Sequence, residues 1–159
     1  MPIPPYVAHL RTMIGQDLLW LPGCTAVVLR EGERGPEVLL LRRSDNGEWT
    51  PVTGIIDPGE EPHVAAVREV LEETCVVAEV ERLVWVSAGA EVRHVNGDRA
   101  QYLDHTFRCR WVSGEPRPGD DEASEVAWFG VEALPPMQQR FRDRISCAVE
   151  GPVEVRLGH

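Results

Sequence analysis

Glu69, Glu72 and Glu73 stand at i, i+3 and i+4 in the run Arg68-Glu69-Val70-Leu71-Glu72-Glu73, a spacing that makes them neighbours on a helix. At about 100° per residue their carboxylates share one narrow arc, and Val64, Val67, Val70, Leu71 and Thr74 fall on the other side. The expectation is an oily, packed face and an opposite, exposed face carrying the acids. Like charges at this spacing repel by roughly 0.2–0.5 kcal/mol per pair, and they lie toward the negative end of the helix macrodipole. Arg68, four residues before Glu72, relieves part of that repulsion. A multivalent cation relieves more, and hard carboxylate oxygens suit Mg²⁺ or Mn²⁺. Taken alone, these residues read more readily as a solvated acidic face.

The longer pattern favours chemistry. Gly54 is followed after five residues by Glu60, after seven more by Arg68-Glu69, and then by Val70-x-Glu72-Glu73-x-x-Val76. This resembles the signature of the Nudix hydrolases, G-x5-E-x7-R-E-U-x-E-E-x-G-U with U aliphatic, and departs from it only at the late glycine, here Cys75. A glycine there would end the helix in a left-handed conformation, which costs a non-glycine residue roughly 1–2 kcal/mol. Either the helix ends otherwise or the strain is tolerated, and neither removes a ligand. Asp57 in place of a common glutamate, and Pro51-Val52-Thr53-Gly54 in place of leucine-proline-glycine-glycine, alter the loop. Close analogy to the members that sanitise oxidised nucleotides is therefore unsafe.

The resemblance implies an α/β fold, an α/β/α sandwich with a mixed, curved sheet. It also implies Mg²⁺-dependent (or Mn²⁺-dependent) hydrolysis of the diphosphate joining a nucleoside to another group X. ADP-ribose, nucleotide sugars and (oxidised) nucleoside triphosphates all stay open as substrates. In that chemistry metal-activated water attacks one phosphorus and the cations stabilise the leaving phosphate. Glu69 and Glu73, one turn apart, are the expected metal ligands, with Glu72 completing or bridging a second position. The Gly54 backbone carbonyl is a ligand implied by the family. Glu60 supports the motif, and Arg68 orients Glu72 or Glu60 through charge-assisted hydrogen bonds. The general base is a glutamate of the motif or a loop carboxylate outside it. Glu122 and Glu125 are the loop candidates, with Glu122 preferred, against the competing reading of a solvated acidic loop. Arg43, at a strand end just before the motif, is a candidate for gripping a substrate phosphate. A catalytically silent Nudix-like module that binds a nucleotide is the alternative function, disfavoured by the intact set of Glu60, Arg68, Glu69, Glu72 and Glu73.

The rest of the chain must position these groups. The motif helix is expected over about His63 to Thr74, preceded by a glycine- and proline-rich loop. Cys24–Arg30 and Val38–Arg42 read as strands of a central hairpin by their β-branched and aliphatic content. Val76–Val80 and Leu83–Val86 read as further strands. Glu91–Arg110 reads as a hairpin turning at Asn96-Gly97, with Tyr102–Trp111 as its return. Ser113–Ser124 is a loop of turn formers, and Glu125–Phe129 a final strand. Pro135 and Pro136 can open a helix reaching about Glu150, with Phe141, Ile145 and Val149 on one side. Pro5–Gly15 reads as a short N-terminal helix, and the last residues as an extended or frayed tail. Trp49, His94 and His105 read as packing or structural residues.

At 159 residues the chain is long enough for one domain with a full core. The expectation is a single Nudix domain over 1–159, with residues 1–20 an extension and 152–159 a tail. A net charge of −10 gives no footprint for a nucleic-acid backbone, so the expected partner is a nucleotide-type small molecule. The family makes a homodimer open without any residue pattern requiring it. No apolar run is long enough to span a bilayer, and the first residues lack the pattern of a secretory signal. Cys24, Cys75, Cys109 and Cys147 are widely separated and read as thiols of a reducing compartment, the cytoplasm by default.

Overall fold

The structure, a computed structural model, describes residues 3–159. In chain order the elements are α1 (Pro5–Ile14), β1 (Leu19–Gly32), β2 (Gly35–Arg43), β3 (Trp49–Thr50), β4 (Val52–Ile55) and α2 (Pro62–Thr74). They continue with β5 (Val77–Ala88), β6 (Val92–Arg93), β7 (Arg99–Ser113), β8 (Ala123–Gly130), α3 (Gln139–Glu150) and β9 (Arg156–Leu157).

One mixed sheet runs β3-β2-β1-β7-β5-β9, with β4 on β1, β6 on β7 and β8 on β2. β1 is its axis. It pairs antiparallel with β2 from Leu29 opposite Val38, antiparallel with β4, and parallel with β7 from Leu19 opposite Ala100 to Leu29 opposite Arg110. Such a central strand is covered on both faces, which explains its nearly continuous apolar run. The side chains alternate between two cores. Cys24, Ala26, Val28, Leu39 and Leu41 pack with Ala65, Ala66 and Val70 of α2, and Val27, Leu29, Val38 and Leu40 pack with Ile145 and Ala148 of α3. This is the α/β/α sandwich expected from the sequence.

Several elements differ from the sequence reading. The two strand runs after the motif form one long strand, β5, interrupted by irregularities near Val77, Arg82 and Trp85. Pro135 and Pro136 precede α3 without opening it, since the helix begins at Gln139. Of the two outcomes open for the tail, extended or frayed, it is extended, and it is docked. β9 pairs parallel with β5, the Trp85 indole donates to the Gly158 carbonyl at 2.6 Å, and the Arg156 guanidinium stacks 3.9 Å above the Trp85 ring. Trp49 packs edge-on against Phe129 with centroids 4.8 Å apart. The turn at Asn96-Gly97 forms between β6 and β7, with Gly97 at φ 91°. Among the described residues no helix is long and apolar enough to cross a membrane.

Candidate active site

Gly54 lies within β4 opposite Cys24 of β1, not in the loop expected for it. Ala65 and Ala66, both fully buried, have side chains short enough to let α2 come close to the sheet. The approach is so close that a Cβ on Gly54 would lie 2.6 Å from Oε1 of Glu69, and closer still to its Cγ. A side chain at this position would have to displace the carboxylate.

The helix keeps Val70 and Thr74 buried and Glu72 exposed as the amphipathic reading expects, but departs from it at four residues. Glu69 and Glu73 are 3% and 4% exposed, while Val64 and Leu71 are 46% and 53% exposed. Ala65, Ala66, Val70 and Thr74 supply the packing on the buried side, and the two glutamates share it. The simple assignment fails because it sends every carboxylate to water. Here the small alanines and the glycine leave room beside the sheet, and the acids occupy it.

Burying carboxylates disfavours their charged form. Loss of water pushes the Glu69 pKa up to about 7, with Arg68 pulling it back in part. Loss of water, and then the charge of Glu69, push Glu73 up to about 8. Arg68 is the organiser of this group. It donates to Glu60 through Nε at 2.7 Å and Nη2 at 2.9 Å, and its Nη1 reaches Glu69 at 3.0 Å and Glu72 at 3.2 Å. The Arg68 hydrogen bonds hold the Glu60 pKa below its ordinary value. Arg68 thus touches both residues expected of it and Glu69 besides, while Glu72 points outward with its side chain half exposed.

α2 ends at Cys75, which adopts the left-handed conformation at φ 60° and ψ 15° and donates its N–H to the Leu71 carbonyl. It is the one non-glycine residue with positive φ among those described. Of the two outcomes open for the missing glycine, the chain tolerates the strain. The loop after β7 helps to hold this end. Arg117 N–H donates to the Thr74 carbonyl and Gly119 N–H to the Glu73 carbonyl, each at 3.0 Å. These bonds satisfy terminal carbonyls that a helix leaves open. The segment that reads in sequence as a solvated acidic loop is therefore fastened to the motif helix, and it places Asp120 where its charge also raises the Glu73 pKa.

The remaining candidates separate. Arg43 forms a two-pronged bond to Asp45 at 2.9 and 2.6 Å, and it lines two neighbouring cavities of about 190 and 510 Å³. Glu122 shares the wall of the larger one, and its backbone carbonyl accepts from Ser44 N–H at 2.8 Å. Glu125 lies on β8 with its exposed carboxylate on Arg42 at 2.9 Å, and it lines neither cavity. A bigger cavity of about 1240 Å³, at the β1–β2 turn end of the sheet, contains no residue of the motif. His94 hydrogen-bonds the Tyr102 hydroxyl at 2.9 Å and lines both of the Arg43 cavities, and His105 Nδ1 lies 3.0 Å from the Gly23 carbonyl.

Sequence reading missed a buried polar group beside the smaller cavity. Asp104, 4% exposed, accepts from Thr25 and Thr106 at 2.8 Å each, and Arg144 reaches Thr25 at 3.0 Å. The alternation of β7 signals Asp104 as an inward residue, but nothing in sequence pairs it with a helix residue forty positions on.

The donor chemistry suits a hard divalent ion, with Glu69 buried beside the Gly54 backbone, Glu73 buried one turn on and Glu72 tied in through Arg68. Among the described residues, no three His, Cys, Asp or Glu side chains form a ready-made metal cage. An ion here would therefore be completed by backbone, water or substrate oxygens, as Mg²⁺ usually is.

A NUDIX domain family model matches residues 21–148. The NAD-capped RNA hydrolase NudC of Pseudomonas fluorescens is 31% identical over 134 residues, covering 79% of this chain and 43% of that protein. The chain thus spans less than half the length of the NudC relatives it matches. A MutT-like protein of Streptomyces ambofaciens is 31% identical over 126 residues, covering 79% of this chain and 74% of that protein. Among solved structures, a NUDIX hydrolase from Nitrosomonas europaea superposes with a TM-score of 0.63 at 24% identity, covering 87% of this chain and 78% of that one.

Proposed function

The chain belongs to the Nudix hydrolase family, and from that premise we propose that it hydrolyses the diphosphate bond of a nucleoside diphosphate linked to a group X, using Mg²⁺ or Mn²⁺. The observation that carries the reading is the burial of Glu69 against Gly54, with Glu73 buried one turn on and feeling its charge. A stability-driven fold has no use for such a pair, because burial and the charge of Glu69 both work against ionising Glu73. In this reading Glu69, Glu73 and the Gly54 carbonyl would hold the ion, and Glu72 would complete its carboxylate set. A bound divalent ion neutralises the diphosphate and makes a bound water more acidic.

The chain's own residues do the rest. Arg68 fixes Glu69, Glu72 and Glu60 relative to one another through its four short bonds. Glu122, on the wall shared with Arg43, takes the proton of the attacking water. It is preferred over Glu125, which is engaged with Arg42 outside both cavities. Arg43 receives a phosphate oxygen by exchanging part of its bond to Asp45. The same reading takes residues 1–159 as one domain, with 1–20 an extension and 152–159 a tail.

The substrate is a small nucleotide in this reading, supported by the net charge of −10. The NudC relatives are named for NAD-capped RNA, so an RNA bearing such a cap belongs in the test as well. The experiment incubates the protein, with and without Mg²⁺ or Mn²⁺, with ADP-ribose, nucleotide sugars, nucleoside triphosphates and capped RNA, and follows the products. Metal-dependent release of a nucleoside monophosphate is expected. Tight binding without turnover of any of them would instead establish the silent module.

A further inference from the structure

The smaller cavity joins the motif to α3. Gly54, which touches Glu69, is part of its wall, and so are Arg140 and Arg144, one turn apart on α3. Charge in that wall is unlike the rest of the chain. Arg43, Arg93, Arg140 and Arg144 face Asp45, Glu48 and Asp104, an excess of one positive charge in a chain whose net charge is −10. Two of the arginines are already paired, Arg43 with Asp45 at 2.6 Å and Arg144 with Asp104 at 3.6 Å. Glu48 is occupied by Gln138, whose amide donates to it at 2.6 Å.

Arg140 is left over. Among the described residues it forms no ion pair or hydrogen bond, and its guanidinium lies 4.5 Å from the Phe141 ring. The residue as a whole is exposed, yet loss of water around the guanidinium, and then the neighbouring Arg144, push its pKa down, with Glu48 and Asp104 pulling it partly back. Arg144 is held in place by Asp104 and Thr25 and is only 11% exposed. A fixed arginine beside an unpaired one, at the start of a helix with no side-chain cap, is an arrangement that a phosphate monoester would complete.

We propose that Arg140 and Arg144 form a subsite for a second anionic group of the substrate, so that the preferred substrate class is a nucleoside diphosphate derivative carrying an additional phosphate monoester. The proposal rests on the diphosphatase reading above and deepens it by naming a feature of X or of the nucleoside. Arg140 makes the direct contact and Arg144 the supporting one.

The test uses substrates that share a diphosphate and differ by one phosphate monoester, NADH against NADPH and dephospho-coenzyme A against coenzyme A, with the full chain and Mg²⁺. In at least one pair the phosphorylated member should have a kcat/KM about tenfold higher. Arg140→Gln should bring the two members to within about twofold while leaving the unphosphorylated one unchanged, and Arg140→Lys should keep part of the preference. Equal rates within both pairs, or a preference that survives Arg140→Gln, would overturn the subsite. If neither pair is cleaved, calorimetric binding of the same compounds decides it. Tighter binding of a phosphorylated member, lost in Arg140→Gln, supports the subsite while the hydrolase reading falls, and equal affinities overturn the subsite.

Discussion

Glu73 follows Glu69 by one turn on the buried side of α2, and the charge of Glu69 makes Glu73 harder to ionise. Replacing Glu73 with glutamine keeps the shape and removes the charge. Turnover should fall by a factor of about 10² to 10³, the size expected when one electrostatic element of a site is lost. Above about pH 8, where Glu73 would otherwise be charged, the metal-free protein should fold as well as before or better, because a neutral amide is cheaper to bury than a carboxylate. Steady-state kinetics and thermal melting of the same preparation check both halves. Near-normal kcat would contradict the role of Glu73.

The same pair sets a pH dependence. The folded-state pKa values of about 7 and about 8 lie above the ordinary 4.5 of a glutamate. Between 4.5 and 8 the folded chain therefore binds more protons than the unfolded one, and stability falls as pH rises through that window. Melting in a chelator should show a lower Tm at pH 8 than at pH 5.5. Mg²⁺ or Mn²⁺ binds the charged form, so at pH 8 an ion at a hundred times its Kd should restore about 2.7 kcal/mol, with little effect at pH 5.5. A metal-free Tm that climbs over this range, or an ion effect equal at both pH values, would contradict the arrangement.

Cys75 occupies the left-handed position at φ 60°. Cys75→Gly should remove strain of roughly 1–2 kcal/mol, less about 0.4–1 kcal/mol for the greater freedom of glycine in the unfolded chain. A Tm gain of about 2–4 °C per kcal/mol recovered is expected at this chain length. Kinetic constants should stay put, since Cys75 contributes no atom to the carboxylate group. A loss of stability would mean that the thiol's contacts near Gly119 outweigh the strain.

The continuous aliphatic runs made β1 and β2 legible, because a strand covered on both faces needs apolar residues at nearly every position. The spacing from Gly54 to Val76 likewise located the motif helix to within one residue of its start. The orientation of that helix was hidden, since its depth is set by Ala65, Ala66 and Gly54, residues whose small size carries no periodic signal. The docking of the Arg117–Asp120 segment on the end of α2 was hidden for a related reason. It depends on backbone N–H groups, which every residue type except proline offers. Arg140 and Arg144 could be read as helix residues, but only the fold brings them to the cavity that Gly54 also lines.

The loop carboxylates can be told apart by substitution, because their partners differ. Glu125→Gln breaks an exposed pair with Arg42, and exposed pairs are worth about 0.2–1 kcal/mol, so both stability and rate should barely change. Glu122→Gln should lower kcat by about 10² to 10⁴ if Glu122 takes the proton of the attacking water, with KM little changed. Asp120→Asn removes a charge that raises the Glu73 pKa, so the rise of rate with pH should move to lower pH while the plateau holds. Rates across pH for the three variants give the assignment. A large loss of kcat in Glu125→Gln, with Glu122→Gln unaffected, would transfer the base to β8 and mean that the Arg42 pair opens when substrate binds.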